Sequence, residues 1–161
     1  MSVYLSVAPP DGFVKWGEAD WDRWLREHPW EAAERVCSRG DWAIFLYQLR
    51  AHAPKAARKV EGFLEQLVNE RPISTNDASD LRDALAQARD ELSRVPAAAL
   101  RSSNRAAFVG AEDLEAMIAG AASRIGRDPT VADVWAEVMD LVDKVLANAA
   151  SQKRGIYFGH V

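Results

Sequence analysis

The chain has 161 residues, of which 48% are hydrophobic and 27% are charged, and its formal net charge is -4 at pH 7. This composition is typical of a soluble globular protein large enough to bury a core, and it excludes an intrinsically disordered chain. The acidic balance disfavours a general nucleic-acid binder, because such proteins contact phosphates with clustered lysine and arginine.

The cysteine content and the hydropathy pattern predict the compartment. The single cysteine, Cys37, excludes an internal disulfide framework and is compatible with a reducing environment. The N-terminal segment lacks the basic start and the long apolar run of a signal peptide, and no stretch approaches the ~20 apolar residues of a membrane span. We therefore expect one soluble, cytoplasmic domain over residues 1–161, without membrane association.

The chain begins with a strand signal over Ser2–Val7, in which Val3, Leu5 and Val7 alternate with other residues. The segment Pro9–Gly12 ends this strand, because proline cannot donate to a sheet and Asp-Gly favours a turn. The sequence therefore predicts a short N-terminal strand followed by a loop.

Three short helices are predicted next, over about Ala19–His28, Pro29–Ser38 and Trp42–Ala51. Proline fits the first turn of the second helix, where its missing N–H has no helical partner. Cys37 would face the core from that helix, and Asp41 would be the N-cap of the third. The third helix is apolar on nearly all sides, which indicates burial.

Two longer helices are predicted over about Lys55–Arg71 and Ala78–Val95, each with apolar residues at helical spacing. Pro72 ends the first of them and Pro96 ends the second. The second helix carries dense charge on its remaining surface, so we expect it on the outside of the bundle. Residues 97–109 show no clear period and are predicted to form a loop with an apolar anchor.

The last two predicted helices cover about Ala111–Ile125 and Thr130–Arg154. Apolar residues at helical spacing predict the buried face of the first, namely Leu114, Met117, Ile118, Ala121 and Ile125. The second is the most regular amphipathic stretch in the chain. Its start is marked by Thr130 with Asp133 three residues on, similar to a capping box, and Gly155 suits a left-handed cap at its end.

A second strand signal, Ile156–Val161, closes the chain. Because an isolated two-stranded ribbon is marginal in water, we expect the two terminal strands to pair with each other against the helices. The sequence shows no internal repeat and no change of composition that would divide it. The predicted fold is mostly α, a single-domain bundle of about six helices, with a minor two-stranded β element formed by the N- and C-terminal segments.

Catalytic and metal-binding patterns are absent from the sequence. The three histidines, His28, His52 and His160, and the single Cys37 show no ligand spacing such as HExxH or CxxC. The chain also lacks a nucleophile elbow, a Walker A loop and a dinucleotide-binding glycine motif. We therefore predict no catalytic, cofactor-binding or metal-ligating residue and no cofactor.

Three carboxylates, Asp133, Glu137 and Asp140, share one face of the last helix. Acid–base chemistry would require these groups to converge in a cleft with shifted pKa values. Because they lie opposite the apolar stripe, we expect a solvated face instead.

Tryptophan is concentrated near the N-terminus, at Trp16, Trp21, Trp24, Trp30 and Trp42. Aromatic residues at helical spacing usually belong to a core, but five tryptophans are many for three short helices. Tryptophan is also enriched at binding hot spots. Trp16 and Trp21 lie nearest a loop, and we predict that both are exposed and rimmed by polar residues.

A basic run formed by Arg50, Lys55, Arg58 and Lys59 contains no acidic residue before Glu61. Lys55, Arg58 and Lys59 would share the outward face of one helix. Such a face usually serves solubility. The functional interpretation is a docking surface for an acidic partner or a phosphate group.

The function expected from these features is non-enzymatic: a cytoplasmic protein that binds a macromolecular partner, of the toxin-neutralising (immunity) or regulatory type. The partner-binding residues predicted for it are Trp16, Trp21, Arg50, Lys55, Arg58 and Lys59. The expected partner is a protein rather than a nucleic acid, and a homo-oligomer remains open.

The alternative function is a small-molecule binder or a small enzyme. It would have an aromatic-lined pocket between the first three helices and the long C-terminal one. Tyr47, His28 or Asp20 would supply the polar groups of such a pocket.

Overall fold

The helices and strands are taken from a computed structural model, which describes residues 2–8, 17–27, 34–68, 74–103 and 111–160. The helices of this part of the chain are α1 (Glu18–Glu27), α2 (Arg39–His52), α3 (Pro54–Val68), α4 (Thr75–Leu92), α5 (Ala99–Ser103), α6 (Ala111–Ile125), α7 (Val131–Val134) and α8 (Ala136–Ser151). The strands are β1 (Ser2–Val7), β2 (Glu34–Ser38) and β3 (Ile156–His160). The fold is mostly α with a small sheet, as predicted.

The sheet has the strand order β2-β1-β3, and both strand pairs are antiparallel. The predicted pairing of the terminal strands is confirmed, with Val3 opposite His160 and Val7 opposite Ile156. The third strand, β2, is not predicted by the sequence. Its residues lie within Pro29–Ser38, for which a helix is predicted. The helical prediction for residues 34–38 is wrong.

The extended conformation of β2 follows from contacts that are distant in sequence. Cys37 pairs with Val3 of β1, so β2 supplies the hydrogen-bond partners that one edge of β1 would otherwise lack. Val36 is buried, which suits a β-branched residue on a half-buried sheet. The helical spacing of the apolar residues in this segment was therefore outweighed by tertiary pairing.

The start of α2 explains where the chain leaves the sheet. Ser38 is the N-cap, and its hydroxyl accepts a hydrogen bond from the Asp41 backbone N–H at 3.1 Å. The Asp41 carboxylate in turn accepts from the Ser38 backbone N–H at 3.3 Å, which completes a capping box. Asp41 is thus the third helical residue and not the predicted N-cap.

The sheet packs one face against α8, the central helix of the core. Val3, Leu5 and Val7 of β1 are buried, and α8 contacts all three strands as well as α4. The buried face of α8 consists of Val138, Met139, Val142, Val145, Leu146 and Ala149. The amphipathic stripe predicted for this stretch therefore does face the core.

The last predicted helix, about Thr130–Arg154, is divided at Trp135. Thr130 and Asp133 form a true capping box at the start of α7, which confirms the predicted start of this last helix. Trp135 adopts φ -95° and ψ 9° between α7 and α8, and its ring packs 5.5 Å from the Phe45 ring, centroid to centroid. At the other end, Lys153 rather than Gly155 takes the left-handed conformation, with φ 53°.

One apolar residue of α6 differs from its prediction. Ile125 was expected in the core, but it is 37% exposed, whereas Leu114, Ile118 and Ala121 of the same helix are buried. Ile125 is the last residue of α6, and Gly126 follows it in the left-handed region with φ 68°. The chain turns away at this point, so the last residue of the stripe has no core to enter.

The capping box of α7 makes stability depend on pH. Partial burial opposes ionisation of Asp133, but hydrogen bonds from Thr130 and the guanidinium of Arg127 outweigh it and lower the pKa of the Asp133 carboxyl. A lowered pKa stabilises the fold above the unfolded-state pKa, about 3.9, and this stabilisation is lost as the pH falls through the folded-state pKa.

We expect Asp133→Asn to lower the free energy of unfolding by about 0.5–1 kcal/mol at pH 7 and by less at pH 3. Urea unfolding at a series of pH values would measure both changes. Asp128→Asn is the control, because Asp128 is exposed and caps no helix. An equal loss at pH 7 and pH 3 would contradict a role for the charge of Asp133.

Candidate functional site

Three cations lie along the exposed face of α3. Lys55, Arg58 and Lys59 are all exposed, and their spacing of i, i+3 and i+4 places them in one row. We call these three residues the cationic stripe. The opposite face of the helix packs into the core through Ala56, Ala57 and Val60. The predicted outward orientation of the three cations is therefore confirmed.

The cationic stripe begins at the N-terminal end of α3, where a positive charge does not stabilise the helix. Pro54 begins α3, Lys55 belongs to the first turn, and this turn contains no acidic residue. The N-terminus of a helix carries the positive end of its dipole, so a cation there is electrostatically unfavourable. The helix dipole therefore does not explain why a cation occurs at position 55.

Most arginines elsewhere in the described residues are paired with carboxylates. The ion pairs are Arg23–Asp20, Arg50–Glu61, Arg82–Asp143, Arg89–Asp140, Arg94–Asp90, Arg101–Glu115, Arg124–Glu137 and Arg127–Asp133. No carboxylate of the described ranges forms such a pair with the stripe. The protein has a net negative charge, yet no ion pair within the described residues offsets the positive row on α3.

Arg50, the fourth cation of the predicted basic run, differs from the stripe because it has a carboxylate partner. It is exposed in the last turn of α2, and its guanidinium donates to the carboxylate of Glu61 on α3. This pair links the two helices and offsets the charge of Arg50. The argument for a binding surface therefore rests on the other three cations.

The tryptophan predictions fall where the structure gives no side-chain description. Trp16 and Trp30 lie outside the described residues, and Trp21 lies in α1 without a described side chain. Their exposure remains a prediction. Trp24 of α1 is half-buried, and the Arg154 guanidinium carbon lies 4.8 Å from its ring centroid.

Cys37 lies half-buried in β2, whereas His28 and the side chain of His160 lie outside what the structure describes. No group of three or more His, Cys, Asp or Glu residues there is placed to hold a metal ion. Burial and the nearby charge of Asp41 raise the pKa of the Cys37 thiol to about 12, against an opposing effect of Arg35. At neutral pH Cys37 is therefore a protonated thiol and a poor nucleophile.

A cleft of about 220 Å³ lies between α4 and α8, away from the pocket proposed for the first three helices. It is lined by Arg82, Leu85, Ala86, Arg89, Met139 and Asp143, none of which is aromatic. Arg82 donates two hydrogen bonds to Asp143, at 2.6 and 3.2 Å, and lowers the pKa of that carboxyl. With Arg89 paired to Asp140, both cations at the rim are compensated.

Of the polar groups suggested for the alternative pocket, Asp20 lies on α1 and Tyr47 on α2. The Asp20 carboxylate accepts from the Gly17 backbone N–H at 3.1 Å and pairs with Arg23 at 2.5 Å, so it is used within its own helix turn. Tyr47 is half-buried on α2, and His28 lies outside the described residues. The cationic stripe is the stronger candidate for a binding surface.

Comparison with protein-family models, with curated proteins and with solved structures found no match to this chain. Within the described ranges, every helix is too short or too polar to cross a bilayer. The candidate function therefore rests on the geometry and charge of the stripe.

Proposed function

We propose that this protein binds an acidic surface of another protein through the cationic stripe and acts as a non-enzymatic partner of the toxin-neutralising or regulatory type. One observation supports this proposal: Lys55, Arg58 and Lys59 are exposed in a row without a carboxylate among the described residues to pair with them. Carboxylates of a partner would supply the missing counter-charges.

A protein partner fits this surface better than a nucleic acid. Affinity for nucleic acid grows with the number of phosphates that are neutralised, and the stripe offers three cations on a chain of net charge -4. A local positive row on an acidic protein instead selects one orientation of an acidic partner and repels others. The proposed partner is therefore a protein with carboxylates at matching spacing.

The expected energetic contribution of the stripe is moderate. Exposed ion pairs contribute about 0.2–1 kcal/mol each, so three pairs amount to about 0.6–3 kcal/mol, or roughly three- to 150-fold in affinity. The stripe would also raise the association rate in a salt-dependent way. Further affinity would come from apolar anchors, for which Trp16 and Trp21 remain the predicted residues.

The test is affinity capture from lysate of the native host on immobilised protein, with proteins identified by mass. We expect the wild type to capture a stoichiometric acidic protein. The triple variant Lys55→Gln, Arg58→Gln, Lys59→Gln should capture about tenfold less of it, because the counter-charges are gone. Raising the salt concentration should weaken the wild-type interaction toward the level of the variant.

A matched control separates the stripe from net charge. The variant Ser79→Glu, Ala116→Glu, Ser123→Glu changes the formal net charge by the same amount at exposed positions of α4 and α6. It should capture the partner as the wild type does. Equal capture by the wild type and the glutamine variant would refute the proposal, and so would a clean monomer stabilised by a single metabolite.

A further inference from the structure

Gly62 extends the cationic stripe by one more position. It follows Arg58 by four residues and Lys59 by three, so it lies on the same exposed face of α3. Glycine is unfavourable in a helix interior relative to alanine, because it loses more conformational freedom on folding. A glycine in the middle of this 15-residue helix therefore lowers helix stability unless another interaction offsets its cost.

The surroundings of Gly62 among the described residues do not offset this cost. A Cβ atom built on Gly62 would meet no atom of the described residues within 4 Å, so a methyl group would fit there without displacing any of them. The backbone there is helical, and its φ lies outside the left-handed region that favours glycine. Neither the backbone conformation nor close packing against the described part of the chain requires glycine at this position.

Resting on the proposed function, we infer that Gly62 is a point of close approach, at which the main chain of an acidic helix of the partner protein crosses α3. The absence of a side chain there lets two helix axes come nearer than bulky residues allow. The partner helix would place its carboxylates on Lys55, Arg58 and Lys59. The first and last of these four positions are seven residues apart, or about 10 Å along the helix axis.

A helical occupant follows from the geometry of this surface. The cations and the glycine form a straight i, i+3, i+4, i+7 row, which is the kind of row that packs against another helix. Charge complementarity makes that helix acidic. The acidic helix is thus fixed by the stripe at one end of the row and by Gly62 at the other.

The test uses Gly62→Ala and Gly62→Gln in the full chain, with native-host lysate as the probe. The readout is restricted to proteins that the wild type captures and the stripe variant loses. We expect about tenfold weaker capture with Gly62→Ala and near-complete loss with Gly62→Gln, because a side chain at a packed contact forces the helices apart. Binding to poly-L-glutamate, a flexible probe of charge alone, should be unchanged.

Gly120 provides the matched control. It also lies inside a helix, α6, and a Cβ there would likewise meet no described atom within 4 Å. Gly120→Ala and Gly120→Gln should capture the partner as the wild type does, and circular dichroism should show that all four variants remain folded.

The outcomes separate the two proposals. Full capture by Gly62→Gln of a stripe-dependent protein would overturn the close approach and leave the proposed function standing. Equal losses from the Gly62 and Gly120 variants would also overturn it. If no captured protein depends on the stripe, the proposed function fails and this inference fails with it. Competition by single-stranded DNA at equal charge concentration would overturn the acidic helix in favour of a polyanion.

Discussion

Leu146→Ala is expected to lower the free energy of unfolding by about 2–5 kcal/mol. Leu146 is fully buried on α8, the helix that contacts α4 and all three strands, so several elements would border the resulting cavity. The loss combines the transfer free energy of the deleted atoms with the cavity that incomplete relaxation leaves. Urea or thermal unfolding followed by circular dichroism would measure it.

Ile125→Ala is the matched control for this prediction, because it deletes the same number of carbon atoms from an isomeric side chain. Ile125 is 37% exposed at the end of α6, so its truncation should cost less than about 1 kcal/mol. Similar losses for the two variants would contradict the assignment of α8 as the centre of the core.

Arg154→Ala is expected to lower the free energy of unfolding by about 2–3 kcal/mol and to release α1 locally. The Arg154 side chain donates from Nε to the Ala8 carbonyl at 2.7 Å and from Nη1 to Gln152 Oε1 at 3.1 Å. The same guanidinium lies over the Trp24 ring of α1. Its removal would leave the buried Ala8 carbonyl without this donor and α1 without this contact.

Hydrogen exchange would report the local effect, through faster exchange of α1 amides than of α8 amides in the variant. Arg154→Lys is the control, because lysine keeps the charge but lacks the planar group that reaches Ala8, Gln152 and Trp24 together. We expect it to fall between the wild type and Arg154→Ala. Unchanged exchange of α1 in Arg154→Ala would show that this contact does not hold the helix.

The parts of the fold that could be predicted are those encoded by local periodicity. The predicted bounds of α6 agree with the structure, because its apolar residues repeat at 3.6 residues between clear end signals. The sequence predicts β1 from the alternation of Val3, Leu5 and Val7, and it predicts the pairing of β1 with β3 because a short terminal strand needs a partner. A capping box such as Thr130–Asp133 spans only four residues and can therefore be recognised in the sequence.

The features that were missed depend on residues distant in sequence. The segment Glu34–Ser38 becomes a strand because β1 offers it a free edge, which no local pattern reveals. The interruption at Trp135 accompanies its packing against Phe45, about 90 residues earlier in the chain. The short helix α5 lies in a stretch whose sequence shows no period.

The candidate site likewise has features that the sequence predicts and features that it does not. The spacing of Lys55, Arg58 and Lys59 predicted that they share an exposed face, since this depends on helix geometry alone. The charge balance around them could not be predicted, because pairs such as Arg82–Asp143 join residues 61 positions apart. Only the fold shows that other arginines have carboxylate partners while these three lack one in the described part of the chain.

The strand order β2-β1-β3 has a consequence for biosynthesis. Its central strand is made first and gains β2 within about 40 residues, whereas β3 follows β2 by about 120 residues. At translation rates of ~5–20 residues per second, the second edge of β1 stays vacant for on the order of ten seconds on the ribosome. Until β3 has been made, this edge of β1 therefore has unpaired backbone groups that can hydrogen-bond to another chain.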